Sequence, residues 1–353
     1  MAEALPRLTM PHNSRGSWSA SFRNLAQFAC SVYPAKSHAM PEFRWQRTRR
    51  IAALLLVPIA CGQSSHASDV LDPGEHFADI NDVRIWYKVA GHGPIVIVQA
   101  PGWGAPSALL QHNLAPLERS FTLVYFDTRG NGKSSKPEPE TRMSTLDMAD
   151  DLEALRTYLG LENIAVMRHS HGGQIASAFA ARHPDHVQRL VLISASPPKY
   201  PAPEFRAETK RIYDRLAKDP RYADAIKATQ EPFPNAPQQI SNWFERRWPL
   251  YWRDVSRAKT LEGLPPIDTR AAAAYGKAES QVAYDLVPNL KKLQAPTLII
   301  EGRYDFICPD FEQQVFKTNI AHSRLVTFEE SGHFPFIEEP NKFFPVVTGF
   351  LKQ

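Results

Sequence analysis

The chain has 353 residues, of which 43% are apolar, 22% charged and 10% aromatic. That is enough for one large domain or two ordinary ones around a sizeable core, and the balance excludes wholesale disorder. Three cysteines exclude a disulfide-stapled scaffold and a cysteine-rich zinc site. The net charge of +4 sits at the front: residues 1–67 hold eight Lys/Arg and two acids, a balance of +6, which leaves −2 for the other 286 residues. The body therefore lacks the electrostatic support that nucleic-acid binding needs, and no nucleic-acid partner is expected.

The front has a pattern of its own. Arg44, Arg47, Arg49 and Arg50 precede an apolar run of 11 residues, Ile51 to Cys61, and small residues follow to Ser65-His-Ala-Ser68. This reads as the charged region, apolar region and cleavage site of an export signal, over about residues 40–67. The run is too short for a stable membrane span. Met40 is then the natural initiator, and residues 1–39 are an upstream extension. The expected destination is periplasmic or secreted, or cytoplasmic if the leader is not used. Val57-Pro-Ile-Ala-Cys61 weakly resembles a lipoprotein cleavage box, but Pro58 stands where that pattern wants Leu or Val. A cut after Ala67 leaves Cys308 as the one cysteine of the mature chain.

In the body, His76–Ile80, a polar Asn81-Asp82 pair and Val83–Val89 predict a β-hairpin, and Gly91-His-Gly-Pro94 a turn. Continuous apolar runs at Ile95–Val98 and Phe121–Phe126 predict buried parallel strands. Met148, Leu152, Leu155 and Leu159 share one face of a helix over 144–159, with Ser144 as N-cap, Asp147 three residues on and Gly160 as stop. A strand at Ile164–Met167, a small-residue helix at Gly173–Arg182 and a strand at Leu190–Ile193 follow. Residues 197–293 break the alternation with Pro, Trp and charge, and read as a helical cap insertion. Strands at Thr297–Ile300 and Leu325–Phe328, and helices near 310–319 and 340–351, complete an α/β domain over 68–353 with a mostly parallel central sheet.

The chemistry gathers at three loops. Strand 164–167 runs through Arg168-His-Ser170-His-Gly-Gly173 into a helix, so Ser170 is held up at a sharp strand-to-helix turn beside free helix N–H groups. A serine is a poor nucleophile without a base oriented by an acid. Asp305 follows the strand at 297–302, and His333 follows the strand at 325–328. The order Ser170, Asp305, His333 is that of an α/β-hydrolase. No carboxylate follows the strand at 190–194 to compete with Asp305.

With these residues in place, about 74–353 resembles the α/β-hydrolase superfamily, specifically its proline-iminopeptidase-like branch. Phe126-Asp-Thr-Arg-Gly-Asn-Gly-Lys-Ser134 resembles the Asp-x-Arg-Gly-x-Gly-x-Ser loop of that branch, and Met143 to Leu159 its following helix. The resemblance implies a serine hydrolase of a small ester, lactone or amide that works without a cofactor. An oxyanion hole would use the backbone N–H of His171 and one from Gln99-Ala-Pro-Gly-Trp-Gly104. Pro101 has no N–H, so Trp103 is favoured over Gly102. Ser170 in place of Asp argues against the dehalogenase and epoxide-hydrolase branches.

Two departures stand out. The branch usually carries His-Gly in the oxyanion loop, where this chain has Ala100-Pro101-Gly102-Trp103. The elbow usually opens on a small residue, where this chain has Arg168, whose guanidinium must find space or a partner; Arg168→Gly is expected to leave activity unchanged or raise it. The alternatives are an iminopeptidase-like aminopeptidase, an acyltransferase, or a non-catalytic binding protein on the same scaffold.

Competing patterns are weak. His169 and His171 lack nearby acids for a metal site, and read as packing and as pocket wall. Gly130-Asn-Gly-Lys-Ser134 ends like a phosphate-binding loop, but Asp127 stands where that motif needs Gly. In the cap, Trp243, Phe244, Trp248, Tyr251 and Trp252 are expected to be partly cap core, with one or two of them, Trp243, Trp248 and Trp252 being the candidates, walling a pocket for an apolar or aromatic small molecule. Glu204, Glu245 and Asp254 could read an amine but are expected on the surface.

Overall fold

The computed structural model describes residues 69–231 and 237–353. The proposed export signal, its start at Met40, Cys61 and the cut after Ala67 lie outside the described residues.

Two strands open the domain, β1 (Gly74–Ile80) and β2 (Val83–Gly91), paired antiparallel. Asn81 and Asp82 both take positive φ, 47° and 62°, as a two-residue turn of this hand requires. The chain continues through β3 (Ile95–Gln99), α1 (Ala108–Leu114), β4 (Thr122–Phe126) and α2 (Thr145–Tyr158). Then come β5 (Ile164–His169), α3 (His171–Arg182) and β6 (Val187–Ile193). At α2, Ser144 and Asp147 form the reciprocal capping box that their spacing predicts.

An excursion follows. It contains β7 (Lys199–Tyr200), α4 (Pro203–Leu216), α5 (Ala223–Thr229), α6 (Pro237–Tyr251), α7 (Thr269–Glu279) and β8 (Tyr284–Asp285). β7 and β8 pair antiparallel and tie its two ends together, so the excursion is not purely helical. The chain returns through β9 (Thr297–Gly302), α8 (Asp310–Asn319), β10 (Ser323–Phe328), α9 (Pro335–Glu338) and α10 (Pro340–Leu351).

The main sheet has eight strands in the order β1-β2-β4-β3-β5-β6-β9-β10, parallel from β4 onward. Alternate residues face opposite layers. Ile97, Phe126, Val166 and Leu192 pack against α2 and α3, while Val98, Tyr125, Met167 and Ile193 pack against α1 and α10. β5 and β6 are longer than their apolar runs: β5 carries Arg168 and His169 into the ladder opposite Leu192 and Ile193. Every β5 residue is buried. Among the described residues no helix is long and apolar enough to cross a membrane.

One close approach fixes how the sheet meets α3. A Cβ on Gly173 would lie 2.2 Å from the Ala195 Cβ, so only glycine lets the helix start this near to β6.

Candidate active site

The three sequence-predicted residues reach one edge of the sheet, at the C-terminal ends of β5, β9 and β10, where open α/β sheets place their chemistry. Ser170 joins β5 to α3 at φ 57° and ψ −132°, a conformation that costs about 1–3 kcal/mol for a residue with a side chain. It is half-buried. Its backbone is held on both sides: its N–H donates to the Ile193 carbonyl at 3.0 Å, and its own carbonyl accepts from Gly173 N–H at 2.9 Å.

Asp305 and His333 are both buried, and His333 Nδ1 lies 2.9 Å from Asp305 Oδ2. With Nδ1 carrying the hydrogen toward a carboxylate, Nε2 is left as the acceptor. The other carboxylate oxygen, Oδ1, accepts from the N–H groups of Ile307 and Cys308 at 2.9 and 3.0 Å, which fixes the acid. The histidine loop is fixed from above, because His333 N–H donates to the Tyr251 carbonyl at 2.6 Å.

The elbow meets that loop through His169. Its Nε2 donates to the His333 carbonyl at 2.7 Å, and the two rings lie 4.6 Å apart. His169 is buried between the His333, Phe334 and Phe336 rings, the packing role its sequence context suggests.

The loop after β3 closes the other side. Gly102 and Trp103 both adopt positive φ, 74° and 57°. The backbone of this loop lies against the start of α3: a Cβ on Gly172 would sit 3.3 Å from the Ala100 carbonyl, and one on Gly102 would sit 3.1 Å from His171 Nδ1. His171 opens α3, where a helix leaves its first N–H groups without internal partners. The loop is held by the 126–134 segment. Asp127 accepts from Ser107 N–H at 2.7 Å and from Lys133 N–H at 2.9 Å, and Asn131 Oδ1 accepts from Gly104 N–H at 2.7 Å. A Cβ on Gly132 would collide with the Asp127 carboxylate at 2.0 Å, which accounts for that glycine. Arg129 Nε then donates to buried Asp151 at 2.6 Å and ties the segment to α2.

Comparison with known proteins identifies the family. The alpha/beta hydrolase fold family matches residues 94–340. An AB hydrolase superfamily protein, YisY of Bacillus subtilis, is 30% identical over 285 residues, covering 78% of this chain and 98% of its own. A proline iminopeptidase of Heyndrickxia coagulans is 24% identical over 298 residues, covering 78% of this chain and 98% of its own. Among solved structures, an esterase from Exiguobacterium antarcticum superposes with a TM-score of 0.57 at 24% identity, covering 80% of this chain and 100% of that one.

The chain belongs to the alpha/beta hydrolase fold family.

This alpha/beta hydrolase accommodates the unusual Arg168 inside the sheet-helix layer. The side chain is fully buried on the α3 side; Nη1 donates to the carbonyls of Ile97 and Met167 at 3.1 and 3.2 Å, and the guanidinium lies 5.3 Å from the Phe126 ring centre. Nε and Nη2 have no partner among the described residues. Burial pushes its pKa well below the ordinary arginine value, with no carboxylate to offset it.

Sequence reading missed a polar chain behind the loop that follows β3. His171 does more than wall a pocket: Nδ1 donates to the Pro101 carbonyl at 2.9 Å, and Nε2 lies 3.2 Å from Thr145 Oγ1. Thr145 Oγ1 is 3.0 Å from Glu279 Oε1 on α7, and Glu279 Oε2 accepts from Thr145 N–H at 2.8 Å. Tyr284 O–H donates to Glu279 at 2.6 Å. Burial holds the His171 ring down at about 4, so it is neutral at neutral pH, and burial raises the Glu279 carboxyl. A neutral His171 leaves Nε2 needing a donor, and Thr145 has one hydroxyl hydrogen to share between it and an ionised Glu279. Glu279 lies 134 residues from Thr145, so no local pattern announces the contact.

The structure divides the cap aromatics between core and site. Trp252 does not wall a pocket: it is buried in the core beneath the histidine loop, its ring 4.4 Å from Phe334. Trp243 is buried and donates from Nε1 to the Ala228 carbonyl at 2.9 Å, which anchors α6 to α5. Among the cap rings, Tyr275 lies 4.6 Å from His171, Tyr251 edge-on to His333 at 5.4 Å and Phe244 edge-on to Trp103 at 6.1 Å. Trp248 is half-buried beside Phe244 and Tyr251. Glu204, Glu245 and Asp254 are on the surface; Glu204 pairs with Lys199 and Asp254 caps a following turn.

His169 and His171 point at separate partners rather than at a common point. Elsewhere among the described residues, donor atoms of Glu153, His183 and His186 lie within 4.8 Å of one another. That group sits at the N-terminal end of β6, opposite the Ser170 edge, and Arg156 already holds both Glu153 oxygens, at 2.9 and 2.6 Å.

Two substitutions test these packing arguments. Thr145→Val leaves Glu279 and His171 Nε2 short of a partner, and is expected to cost about 1–3 kcal/mol in denaturant unfolding; no loss would mean the chain of contacts carries no energy. Arg168→Met removes a buried cation that has no carboxylate, and is expected to leave stability unchanged or raise it by up to about 3 kcal/mol. A fall of more than about 1 kcal/mol in the same measurement would show that the two carbonyl contacts outweigh the buried charge.

Proposed function

We propose that this hydrolase cleaves a small ester, lactone or amide through an acyl-enzyme on Ser170. The observation that carries the reading is the buried Asp305–His333 pair, whose loop packs on His169, the residue before a serine in a strained strand-to-helix turn. In this reading His333 Nε2 takes the Ser170 proton as Oγ attacks the substrate carbonyl. Asp305 keeps the ring in the right tautomer and stabilises the imidazolium. The N–H groups of His171 and Trp103, or Gly102, receive the oxyanion, and the fixed loop geometry makes that stabilisation preorganised. His333 then protonates the leaving group and activates water, which releases the acid and restores Ser170.

Esters and lactones are favoured over N-terminal amines, although a relative is a proline iminopeptidase. An amine would need an uncommitted acid in the cap; the three acids suggested by the sequence are on the surface, and buried Glu279 on α7 is already engaged by Thr145 and Tyr284. The cap face over the site instead offers rings and a cation.

A fluorophosphonate probe is expected to label Ser170, and Ser170→Ala to abolish both labelling and turnover of aryl esters. Asp305→Asn is expected to lower kcat by about 10³–10⁴-fold while the protein stays folded. A folded protein that the probe leaves unlabelled would overturn the reading. Transfer to an added alcohol in preference to water would reassign it as an acyltransferase.

A further inference from the structure

Arg247 is a cation on the cap helix α6 with no anion of its own among the described residues. It lies on α6, three residues after Phe244 and four before Tyr251, on the helical face those positions share. Phe244 meets Trp103 of the oxyanion loop, and Tyr251 meets His333 through both its ring and its carbonyl. The stretch of α6 that carries Arg247 therefore spans the two sides of the Ser170 edge. The residue is only 6% exposed. Its guanidinium lies 4.0 Å from the Trp243 ring centre and 5.7 Å from that of Tyr251. It makes no hydrogen bond or ion pair with any described residue, and its buried Nε has no partner.

The neighbouring cations do not share this state. Arg246, next in sequence, is held by Asp224 and Glu231, and Arg253 by Glu330. The Tyr251 ring beside the guanidinium is the same ring that meets His333, which ties Arg247 to the site. The two ring faces offset part of the cost of burying the charge. They also hold a planar fork of donors in one orientation, which is the geometry a carboxylate matches with two parallel hydrogen bonds. One cation without a second basic group suits a single negative charge.

We propose that Arg247 is a specificity residue that binds a carboxylate on the substrate, so that the preferred substrates are esters or lactones carrying a free carboxylate away from the scissile carbonyl. This rests on the reading of Ser170 as nucleophile. The substrate would then be a half-ester of a dicarboxylic acid or its cyclic equivalent, and the product a dicarboxylic acid or a hydroxy acid with a second carboxylate.

Two matched esters test it: the para-nitrophenyl half-ester of glutaric acid, and para-nitrophenyl pentanoate, similar in length but uncharged. The wild type is expected to prefer the charged ester about tenfold or more in kcat/KM, mainly through KM, and Arg247→Gln to lose that preference. Arg247→Lys, which keeps the charge but not the fork, should fall between. A wild type that prefers the neutral ester would overturn the proposal. So would an Arg247→Gln that slows both esters in proportion, which would make Arg247 a packing residue.

Binding separates this from the catalytic reading. Glutarate titrated into Ser170→Ala should quench tryptophan fluorescence and bind at least tenfold more weakly once Arg247→Gln is added. Glutarate binding without turnover of either ester would sink the Ser170 reading and leave the carboxylate site standing. Turnover of both esters, with neither charge preference nor glutarate binding, would do the reverse.

Discussion

The backbone at Ser170 is the constraint on which the rest of the structure depends. A side-chain-bearing residue at positive φ persists only where its surroundings leave no cheaper choice. Here β5 is locked between β3 and β6, and α3 is buried along nearly its whole length. Gly173 can be nothing else, because Ala195 already occupies the space of a Cβ. Relaxing the turn would mean lifting a buried helix off a buried strand. The local strain is small beside that loss, so the hydroxyl stays at the sheet edge and the first N–H groups of α3 stay beside it.

The facing loop is a second solution to the same demand. In the proposed reaction this loop offers an N–H group to the reacting oxygen, so its position has to be set from outside. It is held by side chains behind it: Asp127 on Ser107, Asn131 on Gly104, and His171 on the Pro101 carbonyl. The Asp-x-Arg-Gly-x-Gly-x-Ser stretch is thus a bracket for its neighbour. This also explains in physical terms why its likeness to a phosphate-binding loop is empty: a carboxylate already fills the concavity between Ser107 and Lys133. Through Thr145 and Glu279 the bracket reaches α7, so the excursion over the sheet and the loop beneath it are mechanically joined.

What the sequence made legible was whatever depends on periodicity and order. The hairpin turn, the capping box at Ser144, the buried strands and the succession of Ser170, Asp305 and His333 follow from local patterns that tertiary packing reinforced. What it concealed depends on pairing across the chain. β5 runs two residues past its apolar stretch because ladder bonds to β6 do not ask whether the side chain is apolar, so Arg168 and His169 are carried in. Trp252 and Trp248 are four residues apart, and composition could not say which would lie in the core and which beside the site. Trp103 at positive φ had no local signal either, since that conformation normally calls for glycine or asparagine.

Three buried arginines show how location decides what a charge means. Arg129 is paired with Asp151, and the pair is structural, since removing either partner would strand the other. Arg168 lacks a carboxylate, but its unpartnered nitrogens are sealed between sheet and helix, where a ligand could reach them only by separating the layers. It is a cost the fold tolerates because two carbonyls and a ring face soften it. Arg247 is equally without an anion among the described residues but sits on the helix that bridges Trp103 and His333, over the edge a substrate would approach in the proposed reaction. A buried cation on that path gains most when an incoming molecule brings the missing charge. Substrate binding would then offset the cost of burying that cation, and the gain would be selective for molecules that present a carboxylate at the right distance from the reacting carbonyl.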